Sequence, residues 1–96
     1  MKTITEFKND LAKHKLSLMK KYNVETIGIF GSYARGTASE NSDLDILVKL
    51  KRPIGLSFVT LAEEPESLLQ VKVDLVSVNA IKPKMMNYVK ESLIYV

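Results

Sequence analysis

The chain contains no cysteine. Disulfides and thiolate metal sites are therefore excluded, and carboxylates are left as the metal ligands. It contains one histidine, His14. That residue falls on or beside an apolar helical stripe, with no other polar group nearby that supports catalysis. It reads as a packed or edge residue rather than a base or a ligand. No apolar run approaches the roughly 18 residues of a membrane span. Residues Met1 to Asp10 mix charges with Ile4 and Phe7 and lack the apolar centre of a signal peptide. A soluble, cytoplasmic protein without a membrane partner is expected. Net charge is also small, at +3. The lysines are scattered and no aromatic array lies among them, so nucleic acid is not expected as the main partner. The mild positive balance suits a nucleotide or an acidic partner. There is no internal repeat, linker or low-complexity segment. Ninety-six residues, 46% of them hydrophobic, predict a single globular domain, 1–96, with one core.

What is present alternates between helix and strand patterns. Thr3 followed by Glu6 is a capping box. Ile4, Phe7, Leu11, Leu18 and Tyr22 then recur at helical spacing, with Asn23 as the C-cap. A strand is predicted from Glu25 to Phe30, a second from Asp43 to about Leu50, and a third from Val71 to Val78. Leu56, Val59 and Leu61 predict a helix between the last two. A proline inside a helix costs about 3 kcal/mol, so a kink or break is expected near Glu64, with Pro65 opening a second short helix. Glu63, Glu64 and Glu66 read as a solvated face. Pro83 suits the first turn of a last helix, and the apolar ending Leu93-Ile94-Tyr95-Val96 is either a short strand or part of a partner surface.

The densest chemistry lies between Gly31 and Asp45. The apolar run Ile27-Gly28-Ile29-Phe30 ends at Gly31-Ser32, where glycine allows a sharp turn and a close approach. A helical turn beginning at Ser32 would aim free N–H groups, with the Ser32 hydroxyl, at an anion over the strand end. Thr37 to Ser42 is an exposed loop. Asp43 and Asp45 follow, two apart on a strand, so they share one face while Leu44, Ile46 and Val48 take the other. Two carboxylates this close repel unless a cation lies between them, and Mg²⁺ is the natural occupant. A phosphate cradle beside a carboxylate pair is the kit for phosphoryl or nucleotidyl transfer. Arg35 suits either the triphosphate or a local carboxylate. Tyr33 is expected to pack. Asp74 stands alone among Val71, Val73, Leu75, Val76 and Val78. It either pairs with a cation such as Lys72 or joins Asp43 and Asp45 around metal.

Gly31-Ser32, ten residues, then Asp43-x-Asp45 resembles the signature of the DNA polymerase β-like nucleotidyltransferase superfamily. The fuller string Gly31-Ser32-Tyr33-Ala34-Arg35-Gly36 with Ser42-Asp43-Leu44-Asp45 is similar to its minimal branch, the MNT proteins. The resemblance implies an α/β fold: a small mixed sheet of three or four strands, helices on one face, and the active site at the edge of the other. It implies a third catalytic carboxylate on a later strand, which Asp74 supplies, and two Mg²⁺ ions held by Asp43, Asp45 and Asp74. It implies ATP held by Gly31, Ser32 and Arg35. Members of this branch commonly act as antitoxins of HEPN-domain toxins, and active ones transfer AMP from ATP to a toxin tyrosine. Little sequence is left after Asp74 to hold an acceptor, so another chain is expected to present the hydroxyl. The apolar tail permits a homodimer or a hetero-complex. Two alternatives are a binding-only antitoxin that blocks its toxin by occlusion and an aminoglycoside-type small-molecule nucleotidyltransferase.

Overall fold

Thr3 opens the first helix, α1 (Ile4–Tyr22), in a computed structural model that describes residues 1–96. The Thr3 hydroxyl accepts the Glu6 N–H, and the Glu6 carboxylate accepts the Thr3 N–H, which completes the expected capping box. Phe7, Leu11, Leu18 and Tyr22 form its buried stripe, and Asn23 ends it in the left-handed conformation. There follow β1 (Val24–Phe30), the single turn α2 (Gly31–Arg35), β2 (Leu44–Leu50), α3 (Ser57–Leu69), β3 (Val73–Ser77), α4 (Pro83–Lys90) and β4 (Ile94–Tyr95). Pro83 sits in the first turn of α4, where its missing N–H costs nothing.

The strands form one mixed sheet in the order β3-β2-β1-β4. The β2–β3 pair is parallel, and β1 runs antiparallel to both β2 and β4. Alternation along the central strands sorts side chains to two faces. Ile27, Ile29, Leu44, Ile46 and Val48 pack with Phe7, Leu11 and Leu18 of α1 and with Leu61 and Leu69 of α3. Ile29, Leu44 and Ile46 are fully buried there, each contributing about 2 kcal/mol relative to exposure. Phe30 and Leu47 point the other way and pack with Val89 of α4. Thus α1 and α3 cover one face as expected, and α4 occupies part of the second.

Pro65 does not break the helix. α3 runs through it, and the ring takes the middle place in a buried stripe of Leu61, Pro65 and Leu69. Packing of that apolar ring offsets the lost backbone bond, a tertiary effect that local propensity does not contain. Glu64 and Glu66 are not merely solvated. Glu64 pairs with Lys21 and so ties α3 to α1, and Glu66 accepts the Val73 N–H at the start of β3. The C-terminal tail takes the strand option. Ile94 and Tyr95 pair with Ile29 and Gly28, Val96 donates to the Ile27 carbonyl at 2.9 Å, and Lys15 donates to the Val96 carbonyl at 2.9 Å.

Candidate active site

β1 delivers the chain to Gly31 at φ +77°, a conformation that L side chains avoid. A Cβ built there would lie 2.0 Å from Asp45 Oδ2. The close approach foreseen for a ligand is thus made by a carboxylate of the protein itself. Gly36, also at φ +77°, ends the α2 turn, and Thr37 donates its N–H to the Ser32 carbonyl at 2.9 Å. The turn starts at Gly31, one residue before the expected Ser32, and Tyr33 is buried edge-on against Phe7, with ring centroids 5.1 Å apart.

The next loop is fastened just before the acidic pair. Ser39 donates its N–H to Ser42 Oγ at 2.9 Å, and Ser42 returns its N–H to the Ser39 carbonyl at 3.0 Å. Leu44 then donates to the Lys72 carbonyl at 2.8 Å, which clamps the start of β2 to the start of β3. In the parallel register Asp45 lies opposite Asp74, so both side chains leave the same face of the sheet. On the other flank Asp45 lies opposite Phe30, which brings the β1 corner to the same spot. Asp43, two residues earlier, shares the face. Leu44, Ile46 and Val48 go into the core on the reverse side, as the spacing predicted.

Charge makes this arrangement unusual. Partial burial is the first cause that raises the Asp45 carboxyl, to about 6 from its ordinary 3.8. The negative charges of Asp74 and Asp43 follow, with a side-chain hydrogen bond to Asp74, while the Arg35 charge pulls the other way. None of the three carboxylates belongs to an ion pair. Asp74 is exposed rather than buried, and the Lys72 pairing that would have explained it does not form. No three such side chains converge tightly enough to make a finished metal cage. The site is a group of like-charged neighbours with hard oxygen donors, and Asp43, Asp45 and Asp74 are the residues that could hold a divalent cation.

Arg35 does not pair with a carboxylate. Its Nη1 donates to the Tyr88 hydroxyl at 3.1 Å, and its guanidinium carbon lies 5.5 Å from that ring's centroid. Tyr88 in turn meets Phe30 edge-on at 6.5 Å. The Gly31 N–H donates to Ser92 Oγ at 2.9 Å. One amide of the expected anion cradle is thus engaged by the segment after α4, and Ser32, half-buried, stands next to it. Tyr88 and Ser92 are residues that sequence reasoning missed. They lie 53 and 61 positions from the groups they hold. No local pattern marks them; the helical stripe of α4 marks only its packing side. His14 is remote from the carboxylates, lining a shallow cleft with Lys21 and Glu64.

A glycine corner facing one carboxylate of an acidic pair, with a third carboxylate in register on the neighbouring parallel strand, defines a polymerase β-like nucleotidyltransferase fold. Comparison with known proteins agrees. Residues 11–96 match the family model described as a nucleotidyltransferase domain, and the chain belongs to that family, in its minimal branch. It is 41% identical over 97 residues to the protein adenylyltransferase MntA of Thermococcus cleftensis, covering 100% of this chain and 98% of that one. A Methanocaldococcus jannaschii protein provisionally named a protein adenylyltransferase is 50% identical over 98 residues, covering 100% of both. Among solved structures, one provisionally described as a minimal nucleotidyltransferase superposes with a TM-score of 0.75 at 33% identity, covering 94% of this chain and 95% of that one. A toxin–antitoxin crystal structure with AMP-PNP also gives a TM-score of 0.75, at 27% identity, covering 92% of this chain and 70% of that one. No helix of the structure is long and apolar enough to cross a membrane.

Proposed function

We propose that this chain is a single-domain, cytoplasmic, Mg²⁺-dependent antitoxin that transfers AMP from ATP to a hydroxyl of a cognate HEPN toxin, most simply a tyrosine. The observation that carries the reading is the parallel register of Asp45 with Asp74, beside Asp43 and under the Gly31 corner. The relative named protein adenylyltransferase MntA and the toxin–antitoxin structure with AMP-PNP support the same reaction and the same class of partner.

Asp43 and Asp45 would bind the Mg²⁺ that accompanies ATP and share a second ion with Asp74. Ions held there would neutralise the triphosphate, lower the acceptor's pKa and stabilise the departing pyrophosphate. The donor set fits this use. It is all hard oxygen, and Asp45 is raised first by partial burial and then by the negative charges of Asp74 and Asp43, which a cation would offset. The Ser32 hydroxyl and the α2 amides beyond Gly31, whose own N–H is held by Ser92, hold phosphate oxygens. Arg35, steadied by Tyr88, contributes a cation for the leaving group. In the transfer, the bond from the acceptor oxygen to the α-phosphorus forms as the bond to the β-phosphoryl oxygen breaks. The acceptor proton passes to the Asp74 carboxylate, and pyrophosphate departs.

The test is incubation with α-labelled ATP, Mg²⁺ and a co-expressed HEPN-domain protein. Label on a tyrosine of that protein, with loss of its toxicity, is expected. Label on a small molecule or RNA alone would refute the protein-modifying reading. Full neutralisation by the Asp43→Ala/Asp45→Ala variant would instead establish occlusion without catalysis.

A further inference from the structure

Along β3, from Leu75 beyond Asp74 toward the far end of the sheet, lies a cleft of about 480 Å³. Its walls include Ile54 and Phe58 on one side and Ala80 and Ile81 on the other, with Leu75 and Val76 of β3 between them. β3 is an outside strand of the sheet, so its free edge borders the cleft. Two large apolar side chains stand exposed on the neighbouring entry to α3, Leu56 at 90% and Val59 at 59%. Together they extend the apolar surface beyond the cleft, the kind of patch that marks an interaction site.

Apart from Asp74 beside Leu75, the charge around it is positive. Both walls come from segments, residues 46–62 and 75–90, that carry six of the chain's fourteen basic residues and none of its eleven acidic ones. Lys51 and Arg52 precede the first wall, and Lys82 and Lys84 follow the second. None of these four belongs to an ion pair, whereas Lys49 is paired with Glu25. The polar group in the lining points the same way. Asn79 Oδ1 accepts the Leu50 N–H and the Ser77 hydroxyl, both at 3.2 Å. Its amide NH₂ is therefore the end left to meet an occupant. The cleft thus offers an apolar floor, four cations and a hydrogen-bond donor. Nucleic acid is a poor match, since Phe58 is the only aromatic ring in the lining.

We propose that this cleft docks an acidic, apolar segment of a partner protein, with carboxylates flanking a bulky anchor and the backbone lying along the β3 edge. The cleft runs from Leu75, next to Asp74, to Leu50, about 20 Å along β2 from the acidic pair. None of the three carboxylates is in its lining, and this inference stands whether or not the proposed chemistry does.

The probe is a fluorescein-labelled peptide of alternating glutamate and leucine, followed by anisotropy and by backbone amide chemical shifts of the full chain. Binding is expected, with shifts at Leu50, Phe58 and Asn79. Lys82→Glu/Lys84→Glu should weaken it by about tenfold or more, and raised salt should weaken it further. Leu56→Asp, on a side chain 90% exposed and so without a folding role, should also weaken it. Circular dichroism confirms that both variants fold, and Asp45→Asn should bind the peptide as the wild type does. The proposal is overturned if the peptide does not bind, if a lysine–leucine counterpart binds equally well, or if the shifts fall elsewhere. It is also overturned if phosphatidylglycerol vesicles or a second copy of this chain, rather than the peptide, show the sensitivity to these variants.

Discussion

Replacing Asp45 by asparagine should stabilise the metal-free protein while abolishing transfer. The wild-type carboxyl titrates at about 6 in the fold against 3.8 ordinarily, raised by partial burial and by the charges of Asp74 and Asp43. A raised carboxyl favours folding only while protonated. Its contribution is fully present below pH 3.8 and is lost as pH rises through about 6. At about 1.4 kcal/mol per pH unit the displacement sets an upper bound of about 3 kcal/mol. Asp45 is only half-buried, and solvent screening reduces this to about 1–2 kcal/mol. Asparagine keeps the shape beside Gly31 and removes the charge. In urea titrations with a chelator at pH about 8, the variant should therefore gain about 1–2 kcal/mol, or roughly 5–10 °C in Tm for a domain of this size. The gain should fade at pH about 4, where the wild-type carboxyl is protonated. Added Mg²⁺ should stabilise the wild type and leave the variant nearly unchanged. A variant less stable than wild type at the higher pH would refute the claim that these carboxylates repel one another.

Other substitutions probe the supports of the site. Gly31→Ala places a methyl group 2.0 Å from Asp45 Oδ2 at φ +77°, so it should cost about 1–3 kcal/mol in denaturant and lower transfer sharply. Tyr88→Phe removes the hydroxyl that Arg35 donates to but keeps the ring; a fall in transfer of about tenfold with stability nearly unchanged is expected in steady-state assays. Thr3→Ala removes the hydroxyl that accepts the Glu6 N–H, leaving the backbone half of the capping box, and should lower stability by about 1 kcal/mol without changing activity, measured by thermal melts and transfer assays.

Much of this molecule can be read locally. The capping box, the α1 stripe and the strand parities are properties of neighbouring residues, and they place Asp43 and Asp45 on the open face without tertiary information. Gly31 announces a turn, although not that Asp45 would fill the space beside it. What local pattern does not hold is long-range pairing. The Asp45–Asp74 register depends on a parallel crossover through α3. The alternative that paired Asp74 with Lys72 failed because β3 is an outside strand and the Asp74 side chain reaches solvent without that partner. The break expected at Pro65 failed because the ring sits in a buried stripe. Tyr88 and Ser92 were silent because they serve groups at the two ends of α2, far away in the chain.

The most direct measurement concerns the third carboxylate alone. Purified Asp74→Asn protein is given α-labelled ATP, Mg²⁺ and the partner, with nucleotide binding followed by calorimetry in parallel. ATP affinity close to wild type and no label on the partner are expected. Transfer at the wild-type rate would show that the carboxylate facing Asp45 across the parallel strands has no part in the reaction.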